Sequence, residues 1–174
     1  MLKQQDAHLI RAAAVRGAVV NLSSSDPVTA PVPATVTVAA GSTYATFRIT
    51  TAQVTVSTPV TITATYGGGS PSGTLTVRPP ILSSVLLSPA TVTSGATTTA
   101  NRVYLDGPAL PGGASITLSS NSGAATPAAS VLIPAGATSA LFTITTMSGV
   151  SSAGPVTITA SYGTVNKTAS LTVN

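Results

Sequence analysis

The sequence contains no cysteine, no tryptophan and no glutamate, and charged residues of every kind make up only 6% of its 174 positions. Without cysteine there are no disulfides, no thiolate metal ligands and no cysteine nucleophiles. The carboxylates are Asp6, Asp26 and Asp106, and the single histidine is His8. General acid–base chemistry needs titratable groups held close together, and this stock leaves it almost nothing to draw on. Globular chains average about 25% charged residues, so solubility here must come from serine and threonine hydroxyls. Aromatics are 3%, which leaves Val, Ile, Leu and Ala to build any core. No apolar run approaches the roughly 18–20 residues of a membrane-spanning helix, so no membrane insertion is expected.

The net charge of +4 rests on seven basic residues against three acidic ones. Lys3, Arg11 and Arg16 sit in the first sixteen positions, while Arg48, Arg78, Arg102 and Lys167 are scattered. No basic stripe with interleaved aromatics appears, which argues against a nucleic-acid partner. The opening MLKQQDAHLIRAAAVRG has no uninterrupted apolar stretch of an export signal, because Asp6, His8 and Arg11 break it.

What is present is a duplication. The stretch Gly17 to Val77 recurs as Gly113 to Val173, with Leu22, Pro59, Tyr66 and Leu75 each 96 positions before Leu118, Pro155, Tyr162 and Leu171. In the middle the offset falls to 95, as in Gly41/Gly136, Phe47/Phe142 and Thr51/Thr146. A period of that length is a whole small domain, well beyond the roughly 20–50 residue unit of a solenoid or propeller.

Within each copy the pattern has period two, as in a half-buried strand. Ala45, Phe47 and Ile49 alternate with Thr46, Arg48 and Thr50; Val60, Ile62, Ala64 and Tyr66 alternate with Thr61, Thr63 and Thr65. The second copy repeats both runs at Ala140–Ile144 and Val156–Tyr162. β-branched residues suit the pleated conformation, and Gly and Pro break the runs every 8–12 residues or so. Seven strands are expected in the second copy: Leu82–Leu87, Thr98–Leu105, Ala114–Ser119, Ser130–Ile133, Ser139–Thr145, Val156–Tyr162 and Lys167–Val173. That count and size fit an immunoglobulin-like antiparallel β-sandwich without its cysteine and tryptophan hallmarks.

The first copy starts late. Gly17 matches the start of the third strand of the full unit, so the first two strands are expected to be missing and one sheet to carry open ladder groups, an aggregation liability. The expected layout is an unmatched segment 1–16, helical or disordered, then an incomplete immunoglobulin-like domain 17–79, then a complete seven-stranded one 80–174. The segment 1–16 reads as the mark of a truncated or mis-started gene product, or of a boundary with lost upstream sequence. The linker Val77-Arg78-Pro79-Pro80 is short and stiffened by proline, which favours an extended head-to-tail arrangement.

The second copy resembles the bacterial immunoglobulin-like (Big-type) repeats found in tandem in secreted and surface proteins. The residues that carry this are Leu86-Leu87-Ser88-Pro89 with Val92 and Gly95, Val103-Tyr104-Leu105 before Gly107-Pro108, and Ile116 to Ser120. Ile133 to Thr138, Phe142 to Thr146, Val156 to Gly163 and Lys167 to Val173 continue it. The resemblance covers 81–174 fully and 17–77 in part. It implies a spacing, stalk or adhesion role outside the cell or at its surface, beside neighbouring repeats of a longer chain, and it brings no catalytic residues.

Each candidate site has a plainer structural reading. Asp26 precedes Pro27 and Asp106 precedes Gly107, both turn chemistry. No G-x-S-x-G elbow positions a serine, and a calcium site needs six to eight oxygens, usually with several carboxylates. No catalytic residue, cofactor or metal is therefore expected. The Thr-x-Thr runs fit solvent-facing strand threonines, and the sequons at Asn21 and Asn166 fit chance in so hydroxyl-rich a chain. Tyr66 and Tyr162 are expected to cap the core. Tyr104, out of phase with Val103 and Leu105, and Tyr44 are the candidates for contact with a surface glycan or protein. The leading expectation is a non-catalytic, monomeric structural or adhesion module; the alternative is a carbohydrate- or protein-binding accessory module of a secreted enzyme.

Overall fold

In the computed structural model the described residues are 2–8, 13, 15–150 and 153–174. The chain divides into two compact units, Met1–Pro79 and Pro80–Asn174. Every described element is a β-strand or a turn.

The second unit shows how the pattern becomes a sandwich. Its strands are β7 (Leu82–Leu86), β8 (Thr91–Val92), β9 (Thr97–Leu105), β10 (Ala114–Ser120), β11 (Ala125–Pro127), β12 (Ser130–Ile133), β13 (Ser139–Thr146), β14 (Ala153–Tyr162) and β15 (Val165–Val173), numbered so that the first unit takes β1 to β6. One sheet runs in the order β12-β10-β14-β15-β8 and the other β11-β13-β9-β7. All neighbours are antiparallel except β8, which lies parallel to β15. This is the strand order of an immunoglobulin-like sandwich: the first two pieces of the unit split between the sheets, and the middle and final strands form the larger one.

Nine strands form where seven are expected. The extra two, β8 and β11, are only two and three residues long, too short to leave an alternating signature. Along β10 the side chains alternate buried and exposed from Ala114 to Leu118. The inward residues join one continuous cluster that includes Leu82, Val103, Ile116, Ile133, Phe142, Ile144, Ile158 and Leu171. Each fully hidden Val, Leu or Ile contributes about 1.5–3 kcal/mol by leaving water.

Among the described residues, three polar side chains are buried in the second unit, Thr98, Asn101 and Thr146. Asn101 is fully buried. Its amide nitrogen donates to the Thr98 hydroxyl at 2.7 Å and to the carbonyls of Thr98 and Phe142 at 3.3 Å. Its Oδ1 accepts from the Ser88 backbone N–H at 3.1 Å. Ser88 follows β7, so Asn101 ties β9 both to β13 and to the chain leaving β7. A buried amide is tolerated because its donors and acceptor are engaged.

The first unit repeats this plan with gaps. Its strands are β1 (Leu2–His8), β2 (Ala18–Ser24), β3 (Thr35–Val38), β4 (Tyr44–Thr50), β5 (Thr58–Thr65) and β6 (Ser72–Val77). The larger sheet has the order β3-β2-β5-β6, and β1 pairs with β4 alone. Register is preserved between copies: Ala18 faces Val38 as Ala114 faces Ile133, and Asn21 faces Thr65 as Thr117 faces Ser161. Gly17 and Gly113 both take positive φ, and a Cβ there would meet the carbonyl oxygens of Val38 at 2.8 Å and Ile133 at 2.7 Å. Only glycine fits that entry to the strand, which explains its retention in both copies.

Two expectations need correction here. Residues 2–8 form a strand, not a helical or disordered segment. Of the rest of segment 1–16, residues 1, 9–12 and 14 lie outside the described residues. The first unit also does not lack both early strands. His8 pairs with Tyr44 as Tyr104 pairs with Ser139, so β1 takes the place of β9. Leu2-Lys3-Gln4-Gln5-Asp6-Ala7-His8 has no apolar alternation to announce a strand. Ladder hydrogen bonds to β4 impose the extended form, the usual dominance of context over β-propensity. At the register positions where β9 has Val103, Asn101 and Thr98, β1 has Ala7, Gln5 and Lys3. Among the described residues, β7 and β8 have no counterpart in the first unit.

Candidate functional site

A patch of mixed surface chemistry lies on the outer face of the β11-β13-β9-β7 sheet. Val103 and Leu105 are buried, and the strand period turns Arg102 and Tyr104 the other way. Pairing then sets two rows across three strands. Ser84, Tyr104 and Ser139 form one, and Leu86, Arg102 and Leu141 the next. Directly opposed residues have Cβ atoms about 4.5–5.5 Å apart, so the rows make one patch. Leu86 and Leu141 are about half exposed, at 52% and 51%. Arg102 donates from Nη1 to the Ser139 hydroxyl at 3.1 Å, which ties the guanidinium to the neighbouring Tyr104 row. Tyr104 is half-buried. A planar cation, a phenol and two aliphatic flanks can stack and hydrogen-bond.

Of these residues only Tyr104 was legible as a candidate in the sequence. Arg102, Leu86 and Leu141 come from three strands that are remote in sequence, and only the register places them side by side. Tyr44 opens β4 in the first unit, 53% exposed, opposite His8. It stands where the second unit has Ser139, so the two tyrosines are not equivalent positions of the repeat. Tyr162 packs against the second unit's core, whereas Tyr66 is 46% exposed and does not cap its core as expected. Both tyrosines flank a two-residue turn: Tyr66 meets Gly69 in an isolated bridge across Gly67-Gly68, whereas Tyr162 pairs with Val165 at the end of the continuous β14–β15 ladder.

Asp26 and Asp106 both accept backbone N–H groups. Asp26 Oδ1 accepts from the backbone N–H groups of Val28 at 3.1 Å and Thr29 at 3.0 Å. Its pKa is held below the ordinary carboxylate value, first by the Thr29 side chain, then by the Thr29 and Val28 amides. Asp106 Oδ1 accepts from the Ile81 N–H at 2.9 Å, closing the entry to β7. Side-chain placement at His8 lies outside the described residues. Among the described residues no three of His, Cys, Asp or Glu gather to hold a metal ion.

A shallow cleft of about 360 Å³ lies where β10 leads to β11, lined by Ser119, Ser120, Asn121, Ser122 and Thr126. Its polar atoms are engaged by the turn and by β14. The Ser120 hydroxyl donates to the Ser122 carbonyl at 2.8 Å, and Asn121 Oδ1 accepts from the Thr157 N–H at 2.9 Å. No described helix is long and apolar enough to cross a membrane.

No family model matches the sequence, and no curated protein matches it. Among solved structures the chain is similar to the D00–D0 domains of intimin, with 15% identity and a TM-score of 0.39, covering 100% of this chain and 97% of that one. It is also similar to the D0–D1 domain of intimin, with 12% identity, a TM-score of 0.38 and coverage of 100% and 88%. Domains A168–A170 of titin give 13%, 0.38, 100% and 66%. The immunoglobulin-like assignment stands on strand order and register within this chain.

Proposed function

We propose that the chain is a non-catalytic structural or adhesion module of a larger extracellular or cell-surface protein, its two units standing among neighbouring repeats and acting without self-association. The observation that supports this most is the division of labour along strands such as β2, β10 and β13: an aliphatic inner face holds the sandwich, and a hydroxyl-rich outer face meets solvent with very little charge. Such a surface keeps a tandem array soluble while offering few groups for nonspecific ion pairing.

Stretching single chains by their ends tests the reading. A load-bearing module gives a distinct unfolding event for the second unit. Its 95 residues (Pro80–Asn174) release up to about 310–340 Å of extended chain, less the folded span. Extension without a force peak would remove the load-bearing role.

The Arg102–Tyr104 patch favours the second reading, a carbohydrate- or protein-binding accessory module of a secreted enzyme. A saturable glycan-array or protein-array signal from the full chain, lost in Tyr104→Ala, would move the assignment there.

A further inference from the structure

The two outer faces of the second unit differ. On the larger sheet the outward positions of β14 and β15 carry hydroxyls, as at Thr157, Thr159, Thr168 and Ser170. On the smaller sheet the row Leu86, Arg102, Leu141 departs from that pattern. The sandwich does not demand the departure: Thr46 stands in the first unit where Leu141 stands in the second, and both are exposed. Two leucines on either side of one cation make a contiguous patch, unlike apolar residues scattered singly over a surface.

The charge of that patch is uncompensated. The second unit has three charged side chains, Arg102, Asp106 and Lys167. Asp106 accepts from the Ile81 N–H. Among the described residues Arg102 has one polar partner, the neutral Ser139 hydroxyl. A guanidinium's planar fork matches a carboxylate through two parallel hydrogen bonds. In the adjoining row Tyr104 supplies a hydroxyl that can donate or accept, and Arg and Tyr are the side chains that, with Trp, most often carry the binding energy of protein contacts.

We infer that this patch docks a protein partner presenting an aspartate or glutamate flanked by aliphatic side chains. The carboxylate pairs with Arg102, and its apolar neighbours take the exposed surface of Leu86 and Leu141 out of water. A glycan is the poorer occupant, because hydroxyls pressed against the two leucines would lose water and find no partner. A second copy of this chain is poorer too, since it offers three carboxylates against seven cations. The inference rests on the binding-module reading above and names the partner of that same patch.

The test selects short random peptides displayed on phage, in parallel, on the full chain and on its Leu141→Thr variant, which takes the first unit's residue and so spares the fold. The expected result is that the unmodified chain alone enriches peptides with Asp or Glu beside Leu, Ile, Val or Phe. Those peptides should bind Arg102→Gln about tenfold or more weakly, bind Arg102→Lys with an intermediate loss, and bind Arg48→Gln unchanged. Identical sequences from both selections would overturn the inference. So would peptides specific to the unmodified chain that lack a carboxylate. A glycan-array signal lost in Tyr104→Ala, with no such peptide, would overturn the protein partner and leave the binding module standing. Silence in both the library and the array would remove the binding-module reading along with it.

Discussion

Phe47 and Phe142 occupy the same place in two copies of one pattern, yet one is half-buried and the other is buried. Their own strands are alike: Tyr44–Thr50 and Ser139–Thr146 both run inward at Ala, Phe and Ile. The second unit has β7 and a β9 with Val103 and Leu105 facing in, and its core is one cluster. The first unit has β1 alone on that side, and its described core falls into two clusters, one around Val20 and Val38 and one around Ile49 and Val60. A strand's alternation decides which side chains face inward. How far they are hidden depends on whether neighbouring strands arrive to cover them.

The comparison can be broken most directly at the phenylalanines. Phe142→Ala should cost the second unit about 3–5 kcal/mol, the usual range for emptying a buried aromatic site. Phe47→Ala should cost the first unit roughly half of that, because part of the ring already meets water and less cavity is left. Equilibrium denaturant unfolding of the full chain, with a probe in each unit, reads both values; equal losses would show that the missing cover does not matter.

A smaller effect is expected at Asn101. Asn101→Leu removes the acceptor of the Ser88 N–H and the donor to the Phe142 carbonyl, and a buried group left without its partner costs about 1–3 kcal/mol. The loss should appear as faster hydrogen exchange at Ser88 and along β7, in the second unit only. If exchange there is unchanged, the amide is not what fastens the first segment of the sandwich.

The smallest effect is the pH response of Asp26, which lies in the first unit's turn. Its folded-state pKa is depressed, so its contribution to stability is present above the unfolded-state value and is lost as pH falls through the folded one. The unfolding midpoint of the first unit should therefore exceed that of Asp26→Asn at neutral pH, and the gap should close in acid below the ordinary carboxylate range. Because the side chain is exposed, the gap should be small. A gap that widens in acid would reverse the assignment of Asp26 as a turn acceptor.

Much of the second unit was readable beforehand because its strands are long enough to show period two. β10, β13 and β14 contain the expected stretches Ala114–Ser119, Ser139–Thr145 and Val156–Tyr162. β8 and β11 were not readable, since two or three residues cannot display an alternation. β1 was hidden for a different reason: Lys3 to Asp6 carries no apolar period, and its extended form comes from pairing with β4. The candidate patch was legible only in part. Tyr104 could be placed on an outer face from its phase against Val103 and Leu105, but Leu86 and Leu141 flank Arg102 only once β7, β9 and β13 are in register.

The sequence by itself determined the duplication, the β character of both units and which residues of the long strands turn inward. These follow from side-chain order along a chain whose side chains must alternate when it is extended. Tertiary structure alone decided that residues 2–8 would serve as a strand, that Asn101 would be a fully engaged buried amide, and that Phe47, Ile62 and Ala64 would stay partly uncovered. Each of those outcomes depends on which backbone edge another segment reaches, and edge-to-edge pairing is a relation between distant parts of the chain that no local pattern encodes.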